Sequence, residues 1–191
     1  RGSALTLARD DSIVVAGTRK GHVLTCELDG REQHHIRLLY DHDAEVLDIA
    51  TSPDGGRIAS CSLDGTVRVW DLQRQRFDFE TESRATPRAI AFSPDGTTLA
   101  VGDHDGRIVL RTAATGVERG VIDAHAEAVT ALAFHCDSVR LVSGSQDSRI
   151  HVWDTRSERR CNTMGGHADR VGTLAVDPSG HWILSGGNDT S

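Results

Sequence analysis

Serine, histidine and aspartate recur in this chain at spacings that would arm a hydrolase. Ser60, Ser143 and Ser185 each lie four residues before an aspartate (Asp64, Asp147, Asp189), and His42, His125 and His167 each lie twenty-two residues before the same aspartates. In acyl transfer such a set supplies a hydroxyl to attack, an imidazole to take its proton and a carboxylate to hold the imidazole. That chemistry also needs an exposed nucleophile and an oxyanion hole. An enzyme has no use for three copies packed at identical positions, so no catalytic residue is assigned. Trp70 and Trp153 stand six residues after Asp64 and Asp147, and the third copy stops short of that position. Four residue types recurring every 42 or so residues mark one supersecondary unit repeated along the chain.

The elements that must position these residues are short. Val46–Ala50, Arg57–Cys61, Thr66–Trp70 and Phe77–Thr81 are apolar or alternating runs without a 3.6-residue period, which predicts strands. Ser-Pro-Asp-Gly at 52–55 and 93–96 suits a type I turn, and Asp64-Gly65 and Asp105-Gly106 suit tight hairpin turns. Each repeat is therefore a four-stranded antiparallel meander. The hairpin at Asp64-Gly65 brings Ser60 and Trp70 roughly opposite each other, and His42 enters from the loop before the innermost strand. A chain of indole N–H, serine hydroxyl, imidazole and carboxylate then satisfies the polar groups of a buried sheet. The expected structural sets are His42, Ser60, Asp64 and Trp70; His125, Ser143, Asp147 and Trp153; and His167, Ser185 and Asp189.

The copies align from Asp-His-Asp-Ala-Glu-Val-Leu at 41–47 to Val-Arg-Val-Trp-Asp at 67–71, and from Ala-His-Ala-Glu-Ala-Val at 124–129 to Ile-His-Val-Trp-Asp at 150–154. Residues 84–112 keep Ala-Phe-Ser-Pro-Asp-Gly but carry Ser83, Val101 and Arg111 where the others have His, Ser and Trp. Residues 4–40 are a weaker copy with Lys20 in place of the turn Asp. This pattern resembles the WD40 family. Within it, Leu-Asp-Gly-Thr-Val-Arg-Val-Trp-Asp-Leu at 63–72 and the Trp-less third repeat are similar to the WD-repeat subunit shared by the superkiller and Paf1 complexes. The resemblance implies an all-β WD40 propeller of about 4.5 four-stranded blades over 1–191: approximately 1–40, 41–83, 84–123, 124–165 and an incomplete 166–191. Such rings close with about seven blades, so the chain is expected to be part of a larger ring. The remaining blades would come from the same polypeptide or from another chain.

Composition narrows the function. The net charge of −7, from 21 basic and 28 acidic residues, argues against direct nucleic-acid binding and against anionic membranes. No run approaches a membrane span and no signal peptide is visible. The four cysteines are scattered without a short pair, which suits the reduced thiols of an intracellular, cytoplasmic or nuclear, protein. No metal site, cofactor or small-molecule substrate is expected. His34 and His35 are adjacent and would point to opposite faces of a strand, and no Gly-rich phosphate loop or nucleophile elbow is present.

The family likeness implies a non-catalytic scaffold that binds peptides or subunits within a multiprotein complex. The first alternative is an architectural subunit held by its blade sides and edges, and a more distant one is an enzyme or nucleic-acid-binding propeller. The same likeness places ligand-facing positions three and five residues after each repeat's His and just before its turn Asp. On this chain these are Glu45, Leu47 and Leu63; Thr86, Arg88 and His104; Ala128, Thr130 and Gln146; Arg170, Gly172 and Asn188; and Arg19 in the first repeat.

Overall fold

The computed structural model describes residues 4–8, 12–28, 36–165 and 167–189. His34 and His35 lie outside the described residues. All regular structure among the described residues is β, and no helix there is long and apolar enough to cross a membrane. The chain divides into two compact units, residues 1–87 and 88–191.

The first unit holds two antiparallel meanders. One runs β1 (Leu5–Ala8), β2 (Ile13–Gly17), β3 (His22–Glu27) and β4 (Ile36–Asp41); the other runs β5 (Val46–Thr51), β6 (Arg57–Ser62), β7 (Thr66–Asp71) and β8 (Arg76–Glu82). The runs that predicted strands in the second repeat fall inside β5 to β8, with one-residue extensions at their ends. Between the two sheets lies an aliphatic core of Ile13, Val15, Val23, Val46, Ile49 and Ile58, joined by Tyr40. Burying each such side chain contributes about 1.5–3 kcal/mol. The β1–β4 sheet approaches β5 so closely that a Cβ on Gly17 would sit 2.5 Å from Val46 Cγ1.

The second unit opens with β9 (Pro87–Phe92), whose first residue falls at the division, followed by β10 (Thr98–Asp103), β11 (Arg107–Thr112) and β12 (Glu118–Asp123). A second meander follows: β13 (Val129–Phe134), β14 (Arg140–Ser145), β15 (Ile150–Asp154) and β16 (Arg159–Met164). A two-stranded sheet, β17 (Val171–Val176) with β18 (Ile183–Gly187), completes the description. Here too glycines let sheets meet: a Cβ on Gly102 would lie 2.5 Å from Val129, and one on Gly144 would lie 2.6 Å from Val171. Among the described residues, the first unit thus holds two four-stranded propeller blades, and the second two four-stranded blades and one two-stranded blade.

The blade ends are built by a repeated backbone device. The turn between the second and third strands of one sheet accepts hydrogen bonds from the loop leading into the next. His42 N–H donates to the Gly21 carbonyl (2.9 Å), Ser83 N–H to Gly65 (2.9 Å), and Ala124 and His125 N–H to Gly106 (3.0 and 2.9 Å). Gly106, at φ 81°, is required twice over, by its left-handed backbone and because any Cβ would meet the His125 carbonyl.

The hairpin register corrects one expectation. Ser60 pairs across the ladder with Arg68, and Ser143 with His151, while Trp70 and Trp153 pair with Ile58 and Leu141. Each Trp therefore lies two residues along the strand from the point facing its Ser, a diagonal neighbour on the same face.

Candidate functional site

In the β5–β8 sheet, His42 sits in the loop after β4 and points inward. Its Nε2 lies 2.7 Å from Ser60 Oγ and its Nδ1 2.9 Å from Asp64 Oδ2. Asp64 also accepts from the Asp43 N–H (3.0 Å), the Thr66 N–H (2.8 Å) and the Thr66 hydroxyl (2.7 Å). Burial pushes the His42 pKa below its ordinary value despite the neighbouring carboxylate, so the imidazole is neutral. Burial pushes the Asp64 carboxyl up, but the hydrogen bonds from Thr66, His42 and Asp43 outweigh it and hold its pKa at about 2. A neutral imidazole beside a carboxylate donates from Nδ1 and accepts from the serine hydroxyl at Nε2.

The expected link from Trp70 to Ser60 is absent, and this corrects the sequence reading. Tyr40 places its hydroxyl 3.0 Å from Ser60 Oγ, and Trp70 Nε1 is buried without an acceptor. The indole instead stacks on Tyr40 (centroids 5.7 Å apart) and meets Phe77 edge-on at 4.8 Å. Tyr40, two residues before the His, was not singled out from sequence; an aromatic residue at that position was the available signal.

In the β13–β16 sheet all four members connect. His125 Nε2 lies 2.8 Å from Ser143 Oγ and its Nδ1 3.0 Å from Asp147 Oδ2, and the Trp153 indole N–H donates to Ser143 at 2.8 Å. His151 stacks on His125 with centroids 4.5 Å apart and planes 13° from parallel. Burial, then the proximity of His125 and Arg160, lowers the His151 pKa to about 4. In the β17–β18 sheet, His167 bridges Ser185 (2.8 Å) and Asp189 (3.0 Å) in the same way.

These triads do not present a nucleophile in the complete blades, because Ser60 and Ser143 are wholly buried. Ser185 is exposed. The β9–β12 sheet solves its polar problem differently. Asp103 is buried and accepts from the Asp105 and Arg107 N–H groups, both at 2.9 Å, while burial raises its pKa. Arg111, in the Trp position, donates to the Gly116 carbonyl at 3.0 Å. Among the described residues, no group of three or more His, Cys, Asp or Glu side chains is placed to hold a metal ion.

The positions expected from the family resemblance to face a ligand divide into engaged and disengaged groups. Arg19 and Glu45 approach to 3.8 Å. Thr130 spends its hydroxyl on the Gly144 and Val171 carbonyls. Arg170 and Asn188 are tied by the Asn188 N–H to the Arg170 carbonyl (3.2 Å), and the Asn188 amide oxygen, turned toward Arg170, accepts from its Nε at 3.0 Å. Ala128 is 1% exposed, so its side chain is not available to a ligand; its carbonyl accepts from the Gln146 N–H at 3.0 Å. Leu63 and His104 are exposed, as is Gly172, and Leu47, Thr86 and Gln146 are half-buried. Arg88, on β9, has its Nε shielded from solvent with no acceptor.

The sequence profile described as "WD domain, G-beta repeat" matches residues 33–71, 78–110, 116–154 and 158–191. The chain is 35% identical over 108 residues to WD repeat-containing protein 90 of Mus musculus, covering 56% of this chain and 6% of that protein. It is 30% identical over 116 residues to DNA damage-binding protein 2 of Mus musculus, covering 58% of this chain and 26% of the relative. Over 134 residues it is 28% identical to anaphase-promoting complex subunit cdc20 of Dictyostelium discoideum, covering 66% and 26%. The chain thus spans about a quarter or less of these relatives. A chain of a solved structure entitled "Crystal Structure of Mitotic Checkpoint Complex" superposes with a TM-score of 0.86 at 21% identity, over 97% of this chain and 56% of that one, a likeness of fold.

Proposed function

We propose that this chain, which belongs to the WD40 repeat family, is a non-catalytic interaction platform that binds a peptide or subunit of a multiprotein complex at the blade ends. The observation that carries this reading is Arg88. Its guanidinium stands on a first strand with a buried Nε and no acceptor, a donor arrangement that a carboxylate would complete. Within the second unit, His104, Gln146 and Arg170 with Asn188 offer further polar contacts, and within the first unit Leu63 offers an exposed apolar one of its own. The second unit's arginines suit acidic side chains of a partner, and the first unit's Leu63 suits an apolar one. The net charge of −7 weighs against a nucleic-acid ligand, although one relative is named for binding damaged DNA. The hydrogen-bonded Ser–His–Asp sets serve stability, and we assign no catalytic activity or cofactor. The test is a charge reversal, Arg88→Glu with Arg170→Glu, read by partner recovery and by thermal unfolding. Loss of the partner with folding retained supports the platform.

A second reading, an architectural subunit held through blade sides and edges, draws on one face of the β1–β4 sheet. The ladder pairs Leu5 with Ala16, Leu7 with Val14, Leu24 with Leu38 and Cys26 with Ile36, so these side chains share a face. Leu5, Leu7, Ile36 and Leu38 are exposed on it. Retention of partners after the double charge reversal, with loss on Ile36→Lys and Leu38→Lys, favours that reading.

A further inference from the structure

β8 and β16 are the outer strands of the two four-stranded blades that carry the His, Ser, Asp and Trp set, and one ladder position separates them. On β8, Glu80 lies opposite Arg68 and forms an ion pair with it, Glu80 Oε2 standing 2.9 Å from Arg68 Nε. The repeat puts Thr163 and His151 at the same two positions of the β13–β16 sheet, again opposite each other. One sheet sets a carboxylate against its cation. The other sets a hydroxyl against an imidazole.

The surroundings of Thr163 supply cations without a matching anion. Arg160 lies opposite Trp153, on the face that Thr163 and His151 share, and its Nη1 reaches to 3.5 Å from His151 Nε2. An arginine can only donate, so the ring proton of His151 stands on Nδ1, which is buried without an acceptor. The charges acting on that ring are His125, Arg149 and Arg160 on the positive side and Asp147 alone on the negative. Asp147 is already held by His125 and by the Ala126 and Arg149 N–H groups. Among the described residues, no carboxylate pairs with Arg159 or Arg160. Thr163 is exposed, and its hydroxyl bonds to no described residue. β16 pairs only with β15 among the described residues, so its outer backbone groups are open.

We infer that Thr163 is a phosphorylation site, whose phosphate takes the place that Glu80 holds on β8 and is received by Arg160 beside the His151 ring. In the transfer, Thr163 Oγ1 attacks the γ-phosphorus of a nucleoside triphosphate bound to a protein kinase. The Oγ1–P bond forms and the bond from that phosphorus to its bridging oxygen breaks. The electron pair leaves on the nucleoside diphosphate, and the hydroxyl proton passes to the kinase's base. β16 is already extended, and Arg159 and Arg160 stand four and three residues before the hydroxyl, a flank suited to an acidic kinase cleft. Once attached, the phosphate brings about −1.5 to −2 charge and oxygen acceptors that a guanidinium fork matches. This site is separate from the blade-end positions and does not depend on that reading.

The test has two arms, both on the whole folded chain. In the first, a panel of arginine-directed protein kinases acts with ATP labelled at its γ-phosphate. Label should appear on Thr163 and disappear in Thr163→Val. Absence of label at Thr163, or label there only after the chain is unfolded, overturns the modification. In the second, phosphothreonine is built in at position 163 during synthesis, and its phosphate is titrated by phosphorus NMR. The adjacent guanidinium favours the dianion, so the second ionisation should fall about half a unit or more below the ordinary value of about 6. Arg160→Gln should return it to that value, and the His151 ring should titrate about one unit higher with the phosphate than without it. A phosphate that titrates at the ordinary value, or ignores Arg160→Gln, overturns its reception on this face.

Discussion

The β5–β8 and β13–β16 sheets carry the same four residues at the same spacings and assemble them into different networks. In the first, Ser60 is shared by His42 and Tyr40, and Trp70 sits in an aromatic cluster with Tyr40 and Phe77. In the second, Ser143 is shared by His125 and Trp153, and a second imidazole, His151, lies flat on the first. The repeat motif specifies where four side chains stand. Which of them bond depends on neighbours outside the motif: Tyr40 where the other repeat has Asp123, Arg68 where it has His151, and Phe77 where the third-strand Trp otherwise faces Arg160. A serine hydroxyl has one proton to give and two lone pairs. A tyrosine within reach competes directly with the indole.

The largest effect should come from the residue both networks depend on. His42→Ala and His125→Ala each leave a buried serine and carboxylate without their partner and open a cavity, and each should destabilise the protein by about 2–3 kcal/mol. Urea unfolding measures this. If either variant unfolds at the wild-type midpoint, that network contributes nothing.

The tryptophans should separate the two sheets. Trp153→Phe removes a buried hydrogen bond and should destabilise by about 2 kcal/mol, whereas Trp70→Phe removes a donor that had no acceptor and should remain under about 1 kcal/mol. Equal losses in the two variants would mean that the indole contributes by packing alone, and the contrast would fall.

Acid should discriminate next. His125 and His151 both bind a proton less readily when folded than when unfolded, chiefly because they are buried, and His42 does likewise. The unfolded chain therefore takes up more protons as pH falls. Stability from the neutral rings is complete above the ordinary histidine value of about 6.5 and drains below it. For His151 the window extends down to about 4. The groups facing that ring are His125 and Asp147 across the sheet and Arg149 and Arg160 on its flanks, so a proton there meets mostly positive charge. Amide exchange at Leu141–Ser145 should accelerate between pH 6.5 and 4 more than at Ile58–Ser62, where one buried imidazole titrates. Parallel acceleration would show that the stacked pair carries no extra sensitivity. Asp64 adds its own loss as pH falls below the ordinary carboxyl value of about 4, where the unfolded chain takes up the proton first, and that loss is complete near its folded pKa of about 2.

The smallest effect belongs to the surface. Arg19 and Glu45 approach to only 3.8 Å at partly exposed positions, so Arg19→Ala should change stability by less than about 0.5 kcal/mol in a thermal melt. A loss above about 1 kcal/mol would mean that the blade-end loops are braced by charge rather than by the backbone bonds at Gly21, Gly65 and Gly106.

By itself the sequence determined the period, the strands and the turns, because each is a local property. Alternating apolar residues demand a strand with one buried face, Asp-Gly demands a tight turn, and a recurring spacing demands a recurring unit. It also placed His42, Ser60 and Asp64 together, since a histidine entering before the first strand and an aspartate in the second turn meet at the same blade end. Tertiary structure decided what linear spacing does not encode. Tyr40 belongs to the β1–β4 sheet and reaches Ser60 of the next sheet by packing, so no pattern within the second repeat announces it. Ala128 stands where the family resemblance led us to expect a ligand contact and is nonetheless covered. Such choices depend on which atoms from different sheets compete for the same volume and the same lone pair, and only the folded chain brings those competitors together.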